Sequence, residues 1–159
     1  MNISIRPGNR QFLAENIGLV AVATILTLAT PVVRKYAGGY ASLAVISLAV
    51  FVISVLITQY VVIKKHKWLI TDEVVNRTQG VFAQQTDYIE LYRIVDYAES
   101  QTFLQRFFKV KTVTLISTDK SDPEMNIFGV PAKSDLIKII RTRVEHNKKE
   151  KRIYEITNQ

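Results

Sequence analysis

Two stretches of this chain contain no charged residue: Asn16 to Val33, and Ala37 to Ile63. They are 18 and 27 residues long. As helices at ~1.5 Å per residue they reach roughly 27 and 40 Å, against a hydrocarbon core of ~30 Å. A helix on the surface of a soluble protein shows polar residues at every turn. Ile17-Gly18-Leu19-Val20-Ala21-Val22-Ala23 shows none, and neither does Leu48-Ala49-Val50-Phe51-Val52-Ile53. A cleaved secretory signal, with Arg6 and Arg10 as its charged end, is the alternative for the first stretch. A second apolar stretch follows at once, and no small-x-small cleavage site stands out. The expectation is therefore a transmembrane helical hairpin over 16–63, with helices at about 16–33 and 40–63, after an N-terminal segment 1–15.

Charge at the borders sets the orientation. Arg6, Arg10, Lys64, Lys65 and Lys67 flank the terminal side, while Arg34 and Lys35 stand in the turn. The excess places both termini in the cytoplasm, in a two-pass protein of a prokaryotic cytoplasmic membrane. Tyr36, Tyr40, Tyr60 and Trp68 fall near the borders, where aromatic rings are favoured. Neither span holds Asp, Glu, Lys, Arg or His, which argues against a pump or coupled transporter built from this chain alone. The pairs Ala23/Thr27 and Ser54/Thr58 have the spacing that lets helices approach closely, within the hairpin or against another subunit.

From Trp68 the texture changes to short runs rich in β-branched and aromatic residues. Trp68 to Thr71 and Val74 to Thr78 read as strands about an acidic turn. Further strands are expected at Val81 to Ile89, Val95 to Gln101, Thr112 to Thr118 and Met125 to Val130. A single helical turn is expected at Phe103 to Phe108. Leu136, Ile137, Ile140 and Val144 then form the stripe of an amphipathic helix. About seven short strands and one closing helix point to a small α+β barrel over 64–147, with a charged tail over 148–159.

The order of residues resembles the bacterial pleckstrin-homology-like domain of small membrane proteins. The pattern includes a Thr-Asp turn after the first strand and a glycine ending the second, here Thr71-Asp72 and Gly80. It continues with an I-x-L-x-x-I-x-D run, Ile89 to Asp96, and an Arg-aromatic step, Arg106-Phe107-Phe108. The family often has glycine before "TVTL", where this chain has Lys109 and Lys111. The resemblance implies a β-barrel with a C-terminal capping helix, and no catalytic residues. Eukaryotic relatives hold phosphoinositides in a basic loop between the first two strands. Here that loop is Thr71-Asp72-Glu73, short and acidic, so that binding mode is not expected.

Little in the sequence suggests catalysis. His66 and His146 lack partners for a triad, and without cysteine two distant histidines make a poor metal site. Asp119, Asp122 and Glu124 read as a hairpin loop rather than a calcium loop. No cofactor and no small-molecule substrate are expected. The basic residues are more informative. Beyond Ile63 there are 17 Lys/Arg against 13 Asp/Glu. One cluster is Lys64, Lys65 and Lys67; another is Lys148, Lys149, Lys151 and Arg152. The first belongs at headgroup depth, where anionic lipid attracts it, and is the candidate lipid-headgroup site. Phe103, Phe107, Phe108, Lys109 and Lys111 are the candidate partner contacts, although the phenylalanines are expected chiefly to pack on the barrel. Nucleic acid is not an expected partner.

Together these readings describe a non-enzymatic membrane scaffold or assembly subunit, joined to copies of itself or to another membrane protein. The alternatives are a sensor of anionic lipid headgroups and an oligomeric pore or envelope-stress factor.

Overall fold

The computed structural model describes residues 2–120 and 122–151; Arg152 and most of the expected tail lie outside them. The chain opens with a short strand, β1 (Ile3–Ile5), and enters a helical segment, α1 (Asn9–Lys65). Six strands follow: β2 (Lys67–Ile70), β3 (Val74–Gln79), β4 (Gln85–Glu90), β5 (Ile94–Ser100), β6 (Val110–Ser117) and β7 (Glu124–Pro131). A 3-10 turn (Leu91–Arg93) joins β4 to β5, and a short helix, α2 (Phe103–Phe107), joins β5 to β6. Helix α3 (Leu136–Glu150) closes the domain.

The strands form two antiparallel sheets, ordered β1-β2-β3-β4 and β5-β6-β7. About seven strands were expected after the apolar region, six of them assigned to residues; six lie there. The seventh is β1, which pairs with β2 across the whole of α1, in the register Ile3↔Ile70, Ser4↔Leu69 and Ile5↔Trp68. Ile3 and Ile5 pack against the core and Ser4 is exposed, the alternation of a half-buried strand. The expected strand over Val81 to Ile89 begins only at Gln85. Gly80 takes φ +113°, and a Cβ there would collide with the Ala83 carbonyl oxygen, so 80–84 is a tight turn that only glycine can open.

The core follows the sequence pattern closely. Trp68 and Ile70 from β2, Val75 from β3, Ile89 from β4, Val113 and Leu115 from β6, and Met125 and Ile127 from β7 are all fully buried. Leu136, Ile140 and Val144 cover them from α3, so the 3.6-residue stripe of that helix lies where the strands need a lid.

Helix α1 is long and apolar enough, by length and composition, to cross a membrane. Its large side chains are open to the surroundings: Ile25 is 64% exposed, Leu28 69% and Phe51 65%. A straight helix would hold Asn9 and Tyr60 ~77 Å apart. Instead the Tyr60 hydroxyl lies 3.4 Å from the Asn9 side-chain oxygen. The Tyr60 ring also meets Phe12 edge-on, with centroids 5.3 Å apart. The chain therefore doubles back between them. Gly38, at φ 85° and ψ −178°, breaks the helical angles, whereas Pro31 sits inside the helix. The hydroxyls of Thr24, Thr27, Thr30, Ser54 and Thr58 each donate to a carbonyl one turn earlier, so these groups are satisfied without water.

Candidate functional site

The register of the first sheet defines two ends. Chain leaves β1 at Ile5 and returns at Lys67, which faces Thr78 on β3. The last β3–β4 pair is Gln79↔Gln85. The tip 80–84 thus lies at the same end as both junctions with α1; this end is called the rim. At the far end are the Thr71-Asp72-Glu73 turn and the pair Val74↔Glu90.

The far end is closed by the protein itself. The Arg143 guanidinium donates to the carbonyls of Ile70 (3.1 Å) and Thr71 (2.7 Å), and Asn147 donates to that of Asp72 (2.6 Å). Arg93 pairs with Glu90 at 2.9 Å and Asp119 at 3.1 Å. A hydrogen bond from Tyr92 holds the Glu90 carboxyl below its ordinary range, against the opposing effect of burial and with help from Arg93. Within the domain, Arg77 reaches Asp87 at 2.7 Å and Asp122 at 3.1 Å. Burial pushes the Asp87 carboxyl up, but hydrogen bonds from Arg77 and Gln85 and the guanidinium charge outweigh it, and the result is a lowered pKa. Asp119 and Asp122 are thus engaged by arginines. Among the described residues no group of three His, Cys, Asp or Glu is placed to hold a metal. His66 stacks on Trp68 with centroids 5.8 Å apart, and His146 faces Glu150 at 3.2 Å.

The rim is different. Lys64 and Lys65 end α1 and Lys67 opens β2, so the three expected headgroup lysines do stand together there, Lys64 lying 5.5 Å from the centre of the Tyr60 ring. Of the expected partner contacts, Phe103 and Phe107 are 83% and 71% exposed. They do not pack on the barrel as anticipated, and the reason is local. Thr102 and Gln105 form a capping box, and the Gln105 amide also donates to Thr112 (3.0 Å) and Gln11 (3.4 Å). Burying Gln105 turns both phenylalanines outward. Phe108 is half-buried, edge-on to Phe107. Lys111 does not belong to the exposed set: it is 8% exposed, and its ammonium group donates to Glu99 (2.7 Å) and the Ser134 carbonyl (2.9 Å).

Lys109 takes the left-handed conformation, φ 58°, one that glycine adopts with less strain. It borders a recess of about 370 Å³ shared with Arg6, Arg10, Gly129 and Pro131. Gly129 (φ 74°) lets β7 approach the link from β1 to α1 so closely that a Cβ would come within 2.9 Å of Pro7. Among the described residues Arg6, Arg10, Arg106 and Lys109 form no ion pair. Reading the sequence alone gave Arg6 and Arg10 only a border role. Their meeting with Lys109 depends on β1 joining the sheet, and a three-residue strand carries too weak a pattern to reveal that. Phe82, on the β3–β4 tip, is fully exposed; it was assigned to a strand, although Gly80 marked the turn.

A family model described as Bacterial PH domain matches residues 12–144, from the first turn of α1 to the last core position of α3. No curated protein matches the chain, and no solved structure does. The match takes in α1 as well as the two sheets and their closing helix, and the chain belongs to the bacterial pleckstrin homology domain family.

Proposed function

We propose that this protein is a membrane-anchored, non-enzymatic scaffold that assembles with copies of itself or with another membrane protein. In this reading the two arms of α1 are a transmembrane hairpin with both termini in the cytoplasm of a prokaryotic cell. One observation carries it: β1 and β2 pair directly across α1. Both ends of the helical segment are built into one sheet, so the domain is held at a fixed height and angle. A flexible tether would allow neither. A fixed domain suits a subunit whose surfaces must meet a partner in a set orientation.

The test is a native mass measurement of the full chain extracted with surrounding lipid in nanodiscs. A defined multiple of the chain mass, or a stoichiometric partner, is expected. A lone chain would remove the assembly reading. The second reading, a sensor of anionic lipid headgroups, is favoured by the unpaired cations of the rim.

A further inference from the structure

Three features of the rim point the same way. The first is height. Phe103 and α2 lie against Ala14 and Glu15 of α1, within ~5 Å along the helix axis of Ile17, the first apolar residue of the uncharged stretch. Arg10 is seven residues before Ile17, or ~10 Å, a few ångströms outside a headgroup layer of ~5–7.5 Å on each side of the core and within reach of it for a long arginine side chain. The second is apolar exposure. Phe82 on the β3–β4 tip and Phe103 and Phe107 on α2 are widely open aromatic residues of this end, and Phe103 lies beside the first turns of α1. Nothing in the domain core requires them. The third is charge. Arg6, Arg10 and Lys109 surround one recess without a carboxylate among them. Lys109 occupies a backbone conformation that glycine would take with less strain.

We propose that the rim is a lipid-binding surface: Phe82, Phe103 and Phe107 lodge in the bilayer interface, while Arg6, Arg10 and Lys109 take the phosphate of an anionic phospholipid in the recess between them. Aromatic rings favour this depth, and each cation near an anionic surface gains from it. None of the lysines at the end of α1 lines this recess. The inference rests on α1 being inserted in the membrane, and the test separates the two.

The chain has no cysteine, so single-cysteine variants take one spin label each. The full chain in phosphatidylcholine nanodiscs, with or without phosphatidylglycerol, is labelled through Ile25→Cys, Phe82→Cys, Phe103→Cys or Glu73→Cys. Collisions with oxygen, enriched in lipid, and with a water-soluble nickel chelate are compared. The 25 label should be lipid-exposed, the 82 and 103 labels intermediate, and the 73 label in water. If 82 and 103 match 73 while 25 is in lipid, the inference is overturned and the anchor stands. If 25 is also in water, the anchor itself fails. Labels at 82 and 103 shielded from both reagents would mean a protein covers the rim, which also overturns the inference.

In native mass spectra the unmodified protein should retain phosphatidylglycerol over phosphatidylcholine. Arg6→Gln, Arg10→Gln and Lys109→Gln should each weaken that preference about fivefold. Lys109→Gly, which relieves the backbone, should do so without loss of thermal stability. Equal retention of both lipids by the unmodified protein overturns the phosphate site.

Discussion

The two ends of the first sheet have opposite chemistry. At the far end an acidic turn is roofed by α3, whose Arg143 and Asn147 satisfy three carbonyls in succession. At the rim a phenylalanine stands fully exposed on a turn that needs glycine, and three cations line a recess that holds no carboxylate. One end is completed by the chain's own groups; the other is left incomplete by them. The far end is thus completed by folding, and the proposed contact with lipid falls at the rim.

That contrast can be broken by measurement. Ile140→Ala, beneath the far end, opens a cavity at a fully buried site and should lower unfolding stability by ~2–5 kcal/mol. Urea titration of the full chain in nanodiscs would show it. Arg143→Ala strips the carbonyls of Ile70 and Thr71 of their donor, with an expected loss of ~1–3 kcal/mol in the same titration. Phe82→Ser and Phe103→Ser, at the rim, should move stability by less than ~0.5 kcal/mol, while altering membrane-facing contacts. A loss as large as that of Ile140→Ala would erase the distinction between the ends.

The smallest effect is on acid response. The Asp87 carboxyl is lowered from 3.8, so its contribution to stability is present above that value and declines as pH falls through the lowered one. Asp87→Asn should flatten the stability profile in that window, read from thermal unfolding between neutral and strongly acid pH. An unchanged profile would remove Asp87 from the acid response.

Much of the fold is visible in residue order because local rules and tertiary packing agree there. The β-branched run Thr112 to Thr118 became β6, and Leu136, Ile140 and Val144 face the core as their spacing requires. Where long-range contacts decide, residue order is silent. Ile3-Ser4-Ile5 is a strand because β2, more than sixty residues later, offers an open edge. Phe103 and Phe107 turn outward because Gln105 finds Thr112 and, 94 residues away in sequence, Gln11. The lysines 64, 65 and 67 were legible because the apolar stretch ends beside them. The recess was not, since its walls come from three separate segments.

The late pairing of β1 bears on how the protein is made. On the ribosome Ile3–Ile5 emerges before α1, and its partner strand follows only after the entire helical segment. A nascent molecule whose amino end had been carried across the bilayer would have nothing to offer β2, and its sheet would keep a raw edge. If α1 is inserted as proposed, completing the sheet would thus be a check on insertion, passed only by correctly threaded molecules.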